Sequence, residues 1–150
     1  MKTVIDTNVL INGFKDEYSY EKRIIDAVIG GEIKAFANRQ TLRENKLISS
    51  QLIDNDDYHG ELEKLFSKIN WVVNKRQINV VRDPEDNKIL ESAVEANAEY
   101  LITSDNDLLM LEKFQGIQIV TPQQFWNVYQ DHDNDLWKQW TNFITKDRTK

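Results

Sequence analysis

The chain has 150 residues, 40% of them hydrophobic, which is enough for one domain with a core and too few for two full domains. It has no cysteine, which excludes disulfides and thiolate metal sites, and a net charge of −6, which excludes a uniformly basic nucleic-acid-binding surface. No segment resembles a signal peptide or a membrane span, so the sequence predicts a cytoplasmic protein.

The first half of the chain alternates strand and helix patterns. A short apolar run over residues 3–5 predicts a strand that ends directly at Asp6. Thr7 and Asn8 can cap a helix that begins near Val9. The other elements expected in this half are a helix after Ser19 that stops at Gly30-Gly31, a strand over 33–37, a helix from Thr41, a polar break over 54–60, and a helix after Gly60.

The second half has the clearest helix start. Asp83 is a good N-cap, and Pro84 suits the first helical position. An apolar run over 100–102 predicts a buried strand, which ends in the polar segment 103–107. The other expected elements are strands over 71–73, 78–81 and 116–120, a helix around Leu108, and a helix from Pro122.

Carboxylates follow the predicted strands and begin the predicted helices. Strand and helix patterns in alternation indicate a parallel sheet covered on both faces. Ligands of such sheets bind where strands end and helices begin. Asp6, Asp86 and Asp105 all fall at such positions, so the sequence predicts an acidic site at one edge of the sheet.

Three blocks of sequence together resemble the PIN-domain nucleases. They are IDTNVL over 5–10, DPEDNKILE over 83–91 and AEYLITSD over 98–105. The resemblance extends in order over roughly the first 125 residues and is greatest to small single-domain PIN proteins, many of them toxins of toxin–antitoxin pairs. It implies an α/β fold, a three-layer α/β/α domain with a central, mainly parallel sheet of about five strands.

The resemblance also implies a function. The implied function is that of an endoribonuclease, which uses a water molecule activated by Mg²⁺ or Mn²⁺ and leaves 5′-phosphate and 3′-hydroxyl ends. It implies a toxin with a cognate antitoxin, RNA as the substrate, and a homodimer. We expect the family-like domain to span residues 1–130.

Residues 131–150 form a predicted helical extension. Trp137, Trp140, Phe143 and Ile144 make one aromatic face of it. An aromatic face of this size is seldom left in water. We expect it to pack on the domain or on a partner, with the chain's own domain preferred.

Four acidic residues are the expected metal ligands and catalytic residues. Hard divalent cations prefer oxygen ligands and need only a few carboxylates from the protein. Polar neighbours then orient those carboxylates. The expected ligands are Asp6, Glu44, Asp86 and Asp105, and the expected orienting residues are Asn8 and Thr103.

Each acid also has a purely structural explanation. Asp6 can cap a turn, and Asp86 lies in a first helical turn, where any acid is favoured by the helix dipole. Asp105 is at a strand-to-helix turn, where Asp107 would cap equally well. Glu44 is the weakest candidate, because its spacing from Thr41 makes a capping box.

Two other functions fit parts of the sequence. One is a PIN-fold module that binds nucleic acid or protein without catalysis. The other is phosphoryl transfer with Asp6 as a covalent nucleophile. Asn8 stands where such a phosphatase would have a second acid, which argues against it. For an RNA substrate, the basic residues available despite the acidic balance are Arg39, Arg43, Lys46, Lys75, Arg76 and Arg82.

Overall fold

A computed structural model describes residues 1–41 and 56–148. The described elements, in chain order, are β1 (Lys2–Ile5), α1 (Thr7–Lys15), α2 (Tyr20–Ile29), β2 (Lys34–Asn38), α3 (Asp56–Lys68), β3 (Asn70–Val72), α4 (Pro84–Glu95), β4 (Tyr100–Ile102), α5 (Asn106–Leu109), β5 (Lys113–Phe114), β6 (Ile117–Val120) and α6 (Pro122–Arg148).

The strands form one mixed, mostly parallel sheet. Their order is β3-β2-β1-β4-β6-β5, and only the pair of β5 with β6 is antiparallel. From β1 the chain proceeds outward through β2 to β3 and then returns to β4 on the other side of β1. This reversal between β1 and β4 is the topological switch point of the fold. The predicted α/β class with a mainly parallel sheet is confirmed.

Helices cover both faces of the sheet. One apolar cluster packs α1, α2, α3 and α6 on the first face, with Ile24, Leu65 and Phe125 fully buried. The second packs α4 and α5 on the other face. In β4, Leu101 belongs to the second cluster and its neighbour Ile102 to the first. Because β4 is buried on both faces, its sequence is a continuous run of apolar residues.

The predicted helix starts after Ser19, at Asp83-Pro84 and at Pro122 are confirmed. The predicted start near Val9 is wrong, because α1 begins at Thr7 and so includes Thr7 and Asn8, the expected caps. The Ser19 hydroxyl accepts from the Lys22 N–H at 3.1 Å. The Asp83 carboxylate accepts from the Glu85 N–H at 2.9 Å, with Pro84 at the first helical position. Each cap satisfies a backbone donor that has no partner within the helix.

Two further local predictions need correction, and one strand was not predicted. Residues 78–81 are not a strand, because their backbone groups bond to α4 side chains instead of another strand. Helix α3 begins at Asp56, before the predicted start after Gly60, so the glycine lies inside the helix. The two-residue strand β5 was not predicted. The predicted helix from Thr41, with Glu44, falls from residue 42 onward outside the described residues.

The C-terminal extension continues α6 without a break from Pro122 to Arg148. Its aromatic face is exposed, with Trp137 at 63% and Phe143 at 65%. Within the described residues this face is not covered by the chain's own domain, so the preferred packing is not seen there. Packing on a partner stays a prediction. Within residues 1–41 and 56–148, no helix combines the length and hydrophobicity needed to cross a membrane.

Candidate active site

Asp6 lies at the switch point between β1 and β4. Its backbone N–H donates to the Ile102 carbonyl at 2.9 Å, which continues the pairing of the two strands. Its carboxylate is buried, at 5% exposure, and accepts a 2.8 Å hydrogen bond from the Thr103 hydroxyl. Asp6 precedes α1, and its side chain makes no capping hydrogen bond of full geometry there. The amides of Thr7 and Asn8 at the start of α1 still stabilise its charged form, so a capping role and a place in the acidic site are compatible.

Thr103 joins two of the predicted acids. It is fully buried, and its N–H is held by the Val120 carbonyl at 2.9 Å. Its hydroxyl donates to the Asp6 carboxylate and accepts from the Asp105 N–H at 3.0 Å. One hydroxyl thus fixes the Asp6 side chain and the Asp105 backbone relative to each other.

Asp105 is both a cap and a member of the acidic site. One of its carboxylate oxygens accepts from the Asp107 N–H at 2.8 Å at the start of α5. The side chain also interacts with Asp86, so capping does not exclude a second role. Asp107 is exposed, and its N–H is the group that is capped, so the two acids are not interchangeable.

Asp86 approaches the other acids from the first turn of α4. It is buried at 6% exposure, and its pKa is raised to about 7. Burial is the main cause, followed by repulsion from the carboxylates of Asp105, Asp83 and Asp6 and a hydrogen bond with Asp105. A carboxylate flanked by other carboxylates holds a proton near neutral pH until a positive charge replaces it.

The pKa of Asp6 is raised as well. Burial is the largest cause, and repulsion from Asp105 adds to it. Hydrogen bonds from the Thr103 hydroxyl and from the backbone amides of Asn8 and Thr7 oppose the rise by stabilising the charged form. The site therefore concentrates negative charge in a buried setting and partly compensates it with fixed donors.

Asn87, next to Asp86, was missed by the sequence reading. It is buried, and its side chain accepts from the N–H groups of Val80 and Val81 at 3.1 Å and donates to the Val81 carbonyl at 2.9 Å. These bonds fix the segment that leads into α4 and so the position of Asp86. An asparagine at the fourth helical position gives no periodic signal that would reveal such a role.

The structure brings Asp6, Asp86 and Asp105 together. Glu44 lies outside the described residues. The Asn8 side chain is exposed, and only its backbone N–H faces Asp6, so its orienting role stays a prediction. Within residues 1–41 and 56–148, no group of three or more His, Cys, Asp or Glu side chains is arranged to hold a metal ion. The all-oxygen donor set and its mutual repulsion nevertheless suit a hard divalent cation.

Comparisons with known proteins agree with this arrangement. A family model described as "PIN domain" matches residues 2–107, a range that includes Asp6, Asp86 and Asp105. The chain is also 30% identical over 139 residues to the uncharacterized protein MJ1680 of Methanocaldococcus jannaschii, an alignment that covers 83% of this chain and 89% of that protein.

Proposed function

This chain belongs to the PIN domain family, and from that membership and its acidic site we propose that it is a metal-dependent endoribonuclease. PIN domains are generally nucleases and typically use divalent metals. The observation that carries the proposal is the meeting of Asp6, Asp86 and Asp105 at the switch point of the sheet. RNA is the proposed substrate.

The proposed ligands of Mg²⁺ or Mn²⁺ are Asp6, Asp86 and Asp105, with Glu44 as the fourth. When bound, such a cation neutralises charge on a phosphate and makes water a better nucleophile at neutral pH. Thr103 keeps the Asp6 carboxylate in place. Because the pKa of Asp86 is about 7, a cation competes with a proton for this carboxylate at neutral pH.

The primary test is cleavage of a mixed RNA pool by the purified protein with Mn²⁺, Mg²⁺ or EDTA. We expect cleavage that requires the metal and that falls at least a hundredfold in Asp6→Asn and Asp86→Asn. Asp107→Asn is the matched control, because it removes an exposed acid from the same edge of the sheet. Cleavage that persists in folded Asp6→Asn or Asp86→Asn would refute the site assignment.

A second test does not depend on activity. A ligand that binds only the folded state stabilises it by mass action. Millimolar Mn²⁺ or Mg²⁺ should therefore raise the melting temperature of the wild-type protein and of Asp107→Asn, but not that of Asp86→Asn. Absence of both a thermal shift and cleavage would favour a PIN-fold module that binds without catalysis.

The proposal extends to a toxin that forms a homodimer and is neutralised by a cognate antitoxin. It rests on the family resemblance and on the exposed apolar face of α6, which includes Leu136, Trp137, Trp140 and Phe143. Induced expression should arrest growth of a bacterial host through the Asp6 site. Unimpaired growth, with Asp6→Asn indistinguishable from wild type, would remove the toxin role and leave the nuclease untouched.

A further inference from the structure

Arg39 and Trp71 lie at the carboxyl edge of the sheet, outside the acidic site. Arg39 directly follows β2, and Trp71 is the middle residue of the edge strand β3. The register pairs Asn38 with Val72. Since Val4 pairs with Phe36, the same register places Asp6 level with Asn38. The pair and Asp6 thus share one edge of the sheet, with the β3 backbone at Trp71 about 10 Å, or two inter-strand spacings, from the β1 backbone.

The geometry of the pair is that of a cation over an aromatic face. The Arg39 guanidinium carbon lies 5.2 Å from the centre of the Trp71 ring. The tryptophan is still 43% exposed, so part of its surface is open to a ligand. Together with Asn38, Gln40, Val72 and Val73, the two residues line an open cleft.

Arg39 also has unused hydrogen-bonding capacity. Its side chain is exposed, and among the described residues it makes no hydrogen bond or ion pair. A guanidinium has five donors in a planar fork that matches a phosphate. An exposed indole beside it offers a flat apolar face of the kind on which unpaired bases stack. In a chain of net charge −6, an exposed arginine at this edge of the sheet supplies positive charge near the acidic site.

We propose that Arg39 and Trp71 form a subsite for one unpaired nucleotide of single-stranded RNA, beside the bond that is cut. The base stacks on the Trp71 indole, and the adjoining phosphate binds the Arg39 guanidinium. The inference rests on the proposed nuclease function and adds a binding site to it. It predicts that single-stranded RNA binds better than duplex RNA, whose bases are not free to stack.

The position of the subsite defines the path of the RNA. Ala37, the strand partner of Trp71, packs in the cluster on the α1 and α2 face. Asp86 approaches from α4 on the opposite face. An RNA strand that occupies both sites therefore crosses the carboxyl edge of the sheet, where the ends of β2 and β1 lie between them.

The test measures binding separately from cleavage. A short fluorescein-labelled oligouridylate is titrated with protein in EDTA, and fluorescence anisotropy gives the Kd. We expect Trp71→Ala to raise the Kd roughly tenfold and Trp71→Phe to raise it less, because phenylalanine keeps an aromatic face. Arg39→Ala should also weaken binding. The slope of log Kd against the logarithm of the salt concentration should fall by the amount expected for about one phosphate contact.

Controls distinguish a subsite from a structural contact. Trp140→Ala and Lys138→Ala remove an exposed indole and an exposed charge from distant α6, and neither should change the Kd. Urea unfolding of every variant reports stability. If Trp71→Ala does not fold, Trp71→Phe and Arg39→Ala still decide the question. Both of these variants keep an aromatic ring at position 71.

The outcomes separate the two proposals. Kd values for Trp71→Ala and Arg39→Ala within twofold of wild type, in a protein that cleaves RNA, would overturn the subsite and leave the nuclease standing. A wild-type protein that neither binds nor cleaves RNA would overturn both. Binding that falls in both variants while urea midpoints stay constant would establish the subsite.

Discussion

At the scale of single residues, Thr103 determines how the acids are held. Replacing it with valine keeps the shape but removes the donor to Asp6 and the acceptor for the Asp105 N–H. We expect Thr103→Val to lower the free energy of unfolding by about 1–3 kcal/mol, because both partners are left buried without it. Urea unfolding measures this.

Thr103→Ser is the matched control, because serine retains the hydroxyl and loses only a methyl group. It should keep most of the stability and of the metal-induced thermal shift. A valine variant as stable as wild type would mean that the Asp6–Thr103 bond contributes nothing net.

Asp86 gives a pH dependence with a definite sign. Its pKa is about 7 in the folded protein and 3.8 ordinarily, so the folded state binds its proton more tightly than the unfolded state. The stability from this group is fully present below pH 4, falls as pH rises towards 7, and stays low above. Asp6, whose pKa is also raised, acts in the same direction.

In EDTA, the melting temperature of the wild-type protein should therefore fall between about pH 4 and pH 7 more steeply than that of Asp86→Asn. At pH 8 the asparagine variant should be the more stable by about 1–3 kcal/mol, a common size for a single substitution. Parallel pH profiles for the two proteins would show that the pKa of Asp86 is not raised in the folded state.

At the scale of elements, α4 holds the segment before it by side chains four residues apart. Glu95 accepts from the Lys75 N–H at 3.1 Å and Glu91 from the Ile78 N–H at 2.9 Å, and Asn87 bonds residues 80 and 81. Residues at this spacing lie on one side of a helix. The segment thus obtains from helix side chains the partners that a strand would have found in the sheet.

Asn87→Ala should destabilise the fold by about 2–3 kcal/mol, because it removes three hydrogen bonds and leaves partly buried backbone groups unpaired. It should also weaken the thermal response to Mn²⁺, since Asp86 is the next residue. Chemical unfolding with and without metal measures both effects.

Asn134→Ala on the exposed side of α6 serves as the matched control and should change neither quantity. If Asn87→Ala lowers stability but leaves the metal response intact, Asn87 supports the fold without positioning Asp86.

These elements also mark what the sequence could predict. Strands buried on both faces and helices with strong caps, such as β4 and α4, follow from local patterns. Residues 78–81 look like a strand because valine and isoleucine favour strands. Their actual conformation depends on Asn87 and Glu91, which lie 6 to 13 residues further along the chain. No local pattern contains that information.

The acidic site could be predicted in part, because the topology of the sheet brings some of its residues together. Asp6 and Asp105 follow adjacent parallel strands, so topology alone brings them together. That Thr103 links them through one hydroxyl follows from buried side-chain geometry. The pKa of Asp86 is near 7 because its side chain is buried and lies near three other carboxylates. The sequence does not show how large each of these effects is.

At the scale of the whole molecule, the exposed face of α6 is the surface through which we expect two copies of the chain to associate. The sequence places acidic residues near the start of the extension, at Asp131, Asp133 and Asp135, and basic Lys146 and Arg148 near its end. Antiparallel pairing of two copies would bring unlike charges together and cover the aromatic face. We expect light scattering to show a dimer that Trp137→Ser combined with Trp140→Ser converts to monomer.

The same double substitution should leave metal-dependent cleavage per site within a fewfold of wild type, because neither tryptophan is among the groups that act on Asp6 or Asp86. Phe125→Ser is not a suitable control, since Phe125 is fully buried in the core. If the wild-type protein is a monomer at all concentrations, this face would instead be expected to bind a different protein.

The two-residue strand β5 has a consequence for aggregation. It pairs antiparallel with β6 and places Lys113 at one border of the sheet. At the other border, β3 has only three residues. Both edge strands are short, and one of them carries a lysine. Little unpaired backbone is therefore left to which a strand of another molecule could pair. Conversion to cross-β fibrils through the described edge strands is thus disfavoured.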